Sequence, residues 1–139
     1  MSGLARSSRR PATLAETRLL VNLRSSDLDR TIAFYGGTLG LPVVVRREIL
    51  PGHEEVRMAA GAALLCFEEG TVQPTTNAPV SWEVDDIEGT VAALRERGVT
   101  FEEYDYPSLK TVDGIAAVGS VKGAWFKDPD GNLLSLISG

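Results

Sequence analysis

The 139-residue sequence carries a single histidine, His53, and a single cysteine, Cys66. One thiol cannot close an intramolecular disulfide, which fits a reducing cytoplasm. One imidazole excludes any metal centre built on several histidines. No apolar run approaches the roughly 20 residues a transmembrane helix needs. Cations are also short: 14 Lys and Arg stand against 19 Asp and Glu, a net charge of −5. That balance argues against a nucleic-acid surface, which needs clustered cations, and favours cationic ligands slightly. Residues 1–16 contain Arg6, Ser7, Ser8, Arg9 and Arg10 but lack the apolar centre of a secretory signal. They are read as a flexible tail, with an Arg- and Ser-rich targeting peptide as the alternative.

What is present is ordinary globular composition, 43% hydrophobic and 24% charged. The length suits one domain, placed at 17–139, with a core that needs no disulfide. Leu19 to Arg24 reads as a strand. Ser26 offers an N-cap with Asp29 in capping-box spacing, and Leu28, Ile32, Tyr35 and Leu39 follow at helical spacing. Gly36, Gly37 and Gly40 end that helix. Strands are expected at Val43–Val45, Glu54–Ala59 and Ala62–Glu68, with a Pro51-Gly52 turn and a polar loop over 70–78.

The second half runs in the same order. Pro79 to Val84 is a strand, and Asp85 or Asp86 caps a helix with the stripe Ile87, Val91 and Leu94. Val99 to Tyr104 is a strand and Tyr106 to Gly119 a long loop, of the kind that forms lids. Val121–Lys127 and Asn132–Ile137 form a hairpin around Asp128-Pro129-Asp130-Gly131, where Pro129 pre-sets φ and Gly131 tolerates positive φ. Asp27-Leu28-Asp29-Arg30-Thr31-Ile32 lies over Asp86-Ile87-Glu88-Gly89-Thr90-Val91, and Leu20, Val21 and Leu23 lie over Pro79, Val80 and Trp82. Such a repeat predicts an α+β fold of two tandem βαβββ units, at about 17–70 and 78–139. The two sheets would enclose a cavity, with the helices outside.

Four stretches in this order resemble the vicinal oxygen chelate superfamily of glyoxalase I, bleomycin resistance proteins and extradiol dioxygenases. They are Ser26 to Tyr35, Leu39-Gly40-Leu41, Val84-Asp85-Asp86-Ile87 and Phe126 to Asn132. The resemblance spans Leu19 to the C-terminus. It implies a homodimer and a cavity in which enzymes of the group hold a divalent metal with His and Glu. Carried over by the motifs, those ligand positions fall on Leu20, Pro79 and Ser135, with a fourth near Leu64 on the strand Ala62–Glu68. Leu and Pro offer no lone pair, and a neutral Ser hydroxyl is a poor ligand. His53, in a turn, is read as exposed; neither a metal nor any other cofactor is expected.

Strand alternation then places Leu20, Asn22 and Arg24, Pro79, Ser81 and Glu83, and Leu133, Ser135 and Ile137 towards the cavity. Leu19, Val21, Leu23, Val80, Trp82, Val84, Leu134 and Leu136 go towards the helices. Leu20, Asn22, Arg24, Ser81, Glu83, Trp125, Leu133 and Ser135 are the candidate ligand-binding residues. Asn22, Ser81 and Ser135 would orient a ligand, and Trp125 would stack on a flat one or pack as a core or dimer aromatic. Arg24 and Glu83 correspond in the repeat and either recognise ligand, with Glu83 as a base in the alternative, or form a structural ion pair at the sheet rim. Cys66 is read as a small buried hydrophobe. No catalytic residue is assigned. The expected function is metal-free binding of a small organic drug or metabolite by a cytoplasmic protein with no nucleic-acid or membrane partner. The alternative is a lyase, isomerase or dioxygenase of the same superfamily, with or without metal.

Overall fold

The computed structural model describes residues 13–75 and 77–139. Of the tail expected over 1–16, residues 1–12 lie outside the described residues. Its end, Leu14–Glu16, is a single 3-10 turn capped by Thr13. β1 (Leu19–Ser25) leads into α1 (Leu28–Ile32), which widens into a π-turn over Ala33–Thr38. β2 (Val43–Leu50), β3 (His53–Ala60) and β4 (Ala63–Glu69) complete the first unit. The second unit opens with β5 (Val80–Glu83) and α2 (Ile87–Glu96). A meander follows: β6 (Asp105–Tyr106), β7 (Leu109–Val112), β8 (Ile115–Val118), β9 (Val121–Lys127) and β10 (Leu133–Ser138).

The strand orders are β1-β4-β3-β2 and β5-β10-β9-β8-β7-β6. In each sheet the first strand lies parallel to the last, β1 with β4 and β5 with β10. The other pairings are antiparallel. The repeat seen in the residues is therefore a repeat of topology, two βαβββ units in an α+β fold, with the short strands β6 and β7 added at the edge of the second.

Three local expectations change. The N-cap of α1 is Asp27, whose carboxylate accepts from the Arg30 amide at 3.2 Å. Ser26 is drawn instead to Asp130 in the other unit, through both its amide and its hydroxyl. Asp86 caps α2 in the corresponding place and accepts from the Gly89 amide at 3.0 Å. The loop expected over 106–119 is mostly strand. Asp113 and Gly114 turn β7 into β8 with φ of 52° and 80°, the left-handed pair of a tight hairpin turn. The strand expected over 99–104 reduces to one bridge, Phe101 with Phe126, and a bond from the Glu102 amide to the Trp125 carbonyl.

One apolar cluster joins both units on the helix-covered faces. Leu23, Leu28, Tyr35, Met58, Leu65 and Phe67 enter from the first, and Val80, Ile87, Val91, Phe126, Leu134 and Leu136 from the second. Tyr35 lies 4.5 Å from Phe67 between ring centroids, and Phe34 lies 6.5 Å from Phe126. The turn at 128–131 locks the units together. Buried Asp128 accepts from the Tyr35 hydroxyl at 2.8 Å, from the Asp130 and Asn132 amides at 2.9 Å, and from the Asn132 side chain at 3.0 Å. Burial, then the Asp128 charge, pushes the Tyr35 phenol far above its ordinary range, so it stays a donor. Asp128→Ala strands these donors and is expected to cost about 3 kcal/mol, whereas Tyr35→Phe costs about 1 to 2 kcal/mol. Urea denaturation of both variants and of the double variant checks this, with the double loss smaller than the sum.

Candidate functional site

Each sheet has one face against the apolar core and one open face. On the first sheet, β1 and β4 pair Leu20 with Leu64, Asn22 with Cys66 and Arg24 with Glu68. β3 continues that face with Ala59, Arg57 and Glu55. On the second, Ser81 pairs with Ser135 and Glu83 with Ile137, and β9 continues with Trp125 beside Ser135 and Lys127 beside Leu133. The eight candidate residues thus divide between two open faces, three on the first sheet and five on the second. Val21, Leu23, Val80, Trp82, Leu134 and Leu136 lie on the core side; Leu19 is in phase with them but exposed.

The individual placements differ in character. Asn22 and Arg24 flank a recess of about 170 Å³ that also involves Leu23 and Glu68. Arg24 lies over Gly70, where any Cβ would meet its guanidinium. Arg24 and Glu83 form no ion pair with each other among the described residues, although they correspond in the repeat. Ser81 and Ser135 share a hydrogen bond of 2.5 Å. Leu133 is half-buried, and its amide donates to Thr75 at 3.1 Å. His53 begins β3 in an exposed position beyond the Pro51-Gly52 turn.

Two features were not legible from motifs. Glu55 is buried on the open face at 6% exposure, held by Arg47 and Arg57 at 3.2 Å each. Alternation along β3 was the available signal. Tyr104 stands edge-on to Trp125, with centroids 5.6 Å apart and planes at 78°, and stacks on Tyr106 at 6.2 Å. Nothing local announces that contact, because the chain from Phe101 onward is laid beside β9 by one bridge.

The ligand positions carried over from the motifs can now be tested on the strands. Ser135 lies beside Ser81 on β5, and in the repeat Ser81 corresponds to Asn22 on β1. Asn22 lies beside Cys66. The fourth position is therefore Cys66 rather than Leu64, two residues along the same face. The set becomes Leu20, Pro79, Ser135 and Cys66. Cys66 is buried, which raises its thiol above its ordinary value, and it is the one sulfur in a set that contains no His, Asp or Glu. No three His, Cys, Asp or Glu side chains converge among the described residues. This donor set does not fit a divalent ion.

Two tandem βαβββ units, each with one open face beside its parallel strand pair, define the class of fold. The sequence pattern of the glyoxalase/bleomycin resistance protein/dioxygenase superfamily matches residues 18–136, and the chain belongs to that superfamily. No curated protein shows significant similarity to it. Among solved structures, a glyoxalase family protein from Bacillus anthracis is similar at 17% identity and a TM-score of 0.69, covering 94% of this chain and 98% of that one. TnmS3, an antibiotic binding protein from Streptomyces sp. CB03234, is similar at 22% identity and 0.66, covering 91% and 98%. FosX, a fosfomycin resistance protein from Listeria monocytogenes, is similar at 18% and 0.65, covering 89% and 93%. At these identities the likeness is one of fold. No helix among the described residues is long and apolar enough to cross a membrane.

The aromatic contact carries a measurable consequence. Desolvation, then the nearby Glu102 charge and the Tyr106 phenol, raises the Tyr104 pKa above its ordinary 10.0. The folded state therefore favours the neutral phenol. Its contribution to stability is complete below the unfolded value of about 10 and is lost as pH rises through the folded value. An ultraviolet titration of Tyr104, isolated by difference against Tyr104→Phe, should have its midpoint above that of free tyrosine. Glu102→Gln should lower that midpoint.

Proposed function

We propose that this chain binds a small organic molecule on its open sheet faces, without a metal, and sequesters it without making or breaking a bond. One observation carries the reading. The positions that the motifs assign to a cation are occupied by Leu20, Ser135 and the buried thiol of Cys66 on strands, and by Pro79, which stands one residue before β5 rather than in it as the sequence suggested. Apolar walls with a few placed polar groups are what recognition of a drug or metabolite requires. Leu20, Leu133 and Trp125 supply the first, and Asn22, Arg24, Ser81, Glu83 and Ser135 the second. The antibiotic binding protein TnmS3, of the same fold, supports this direction.

The binding unit in this reading is a homodimer in the cytoplasm. The recess beside Asn22 and Arg24, at about 170 Å³, is smaller than the roughly 300 Å³ of a pocket for a drug-sized ligand. Apolar side chains also stand on the open faces without cover: Leu20 is 41% exposed and Ile137 43%. A second copy over these faces would deepen the recess and bury them.

The test is a thermal-shift screen of antibiotics and aromatic metabolites, run with and without chelator on protein assayed for metal. The expected result is less than a tenth of an equivalent of metal and a Tm rise with at least one compound that chelator does not alter. Ligand at 100 times its Kd contributes about 2.7 kcal/mol. Stoichiometric metal, or a rise abolished by chelator, defeats the proposal. Sedimentation of the same protein should give a dimer mass.

A further inference from the structure

The open face of the second sheet holds a row of groups that specifies more than a small molecule. Ser81, Ser135 and Trp125 are direct partners across β5, β10 and β9, so they stand side by side on one line perpendicular to the strands. Adjacent strands lie about 4.8 Å apart, so this line is about 10 Å long, the reach of a fused two- or three-ring compound.

At one end of the row the indole is laid down. A Cβ built on Gly123 would come within 3.0 Å of Trp125 Cη2 and 3.3 Å of its Cζ2. The benzo ring therefore rests on the bare backbone of Gly123, two residues back on the same face. Gly123 is not needed for its backbone angles, since its φ is not among the positive ones. What it supplies is the missing side chain. Tyr104 then meets Trp125 at 78°, so the two rings make a right-angled aromatic corner. Trp125 remains partly exposed. A flat ring in such a corner meets one neighbour face-on and the other edge-on, the two favoured aromatic geometries.

At the other end stand the two serine hydroxyls, 2.5 Å apart, with no other hydrogen-bond partner among the described residues. One hydroxyl proton is used between them. The second is free to donate, and each oxygen keeps a lone pair. The pair is a ready donor to an oxygen at the rim of a molecule lying on the indole.

We infer that Trp125, Tyr104 and the Ser81–Ser135 pair recognise a planar aromatic compound bearing a carbonyl or hydroxyl oxygen, with Gly123 as the positioning residue that keeps the indole flat. This rests on the binding reading above and names the ligand class for it. Trp82, the other tryptophan, packs against Phe126 on the core side and takes no part.

The test uses 2-naphthol as the planar, oxygen-bearing probe and 2-decalol as its saturated counterpart. Both are titrated into the full chain by calorimetry and by ¹⁵N NMR of the two indole N–H signals. 2-Naphthol should move the Trp125 signal and leave that of Trp82, and 2-decalol should bind about tenfold more weakly or not at all. Gly123→Ala should weaken 2-naphthol about tenfold with little change in Tm, because the Cβ lifts the ring. Trp125→Phe, whose ring does not reach the Gly123 bed, should weaken it similarly. Ser135→Ala should cost several-fold for 2-naphthol and nothing for naphthalene, which has no oxygen to bond. Equal binding of the two probes, unchanged affinity in Gly123→Ala, or no 2-naphthol binding overturns this inference. The binding reading then still stands if the chelator-resistant thermal shift is seen with another compound, and falls only if that shift fails as well.

Discussion

The carboxylate of Asp128 is the contact on which the arrangement of the two units depends. It sits in the turn between β9 and β10, buried, and holds the hydroxyl of Tyr35 from the π-turn after α1 of the other unit. Its two backbone bonds shape the turn itself, and its neighbour Asp130 reaches Ser26 and Arg30 at the start of α1. One tight turn therefore fixes its own hairpin and the position of the first helix. A buried carboxylate is tolerated there because every donor around it is used. The apolar cluster beneath, from Phe67 to Phe126, supplies most of the adhesion but has no direction of its own. The hydrogen bonds set the angle at which the two sheets meet it.

That division leaves the two sheet faces with different work. The core face is mainly apolar on β1, β3, β4, β5, β9 and β10. The open face is mixed, and its polar groups are partnered very unevenly. Glu55 is locked between two arginines, and Ser81 and Ser135 are locked to each other. Arg24, Asn22 and Glu83 keep their capacity free among the described residues. The positions carried over from the superfamily's motifs hold Leu20, Pro79, Ser135 and Cys66 in this chain.

Some of this was legible in the residues and some was not, for reasons visible at particular positions. The two units were readable because Asp27 to Ile32 and Asp86 to Val91 repeat cap and stripe together, and the caps at Asp27 and Asp86 do correspond. The choice of Ser26 as cap failed because its hydroxyl is claimed by Asp130, 104 residues away. The hairpin between β7 and β8 was missed although Asp113-Gly114 between apolar residues is a strong local turn signal. The strands it joins are four residues each, too short for alternation to stand out. Glycines 36 and 37 were read as a stop, yet the chain continues through them as a π-turn packed on Met58.

The sequence by itself determined the class of fold, through its internal repeat and its family motifs, and the alternation of side chains along the strands. These are matters of local chemistry and period, and they survive any arrangement of the elements; that Leu20, Pro79 and Ser135 stand at ligand positions is what the resemblance implies. Only the tertiary structure decided that Cys66 rather than Leu64 is the strand position corresponding to Ser135, that Ser81 bonds Ser135, and that Tyr104 stands against Trp125 over Gly123. Each of those depends on which residue of one strand lies beside which residue of another. That register is set by the packing of the whole sheet on its core, and no stretch of chain carries it alone.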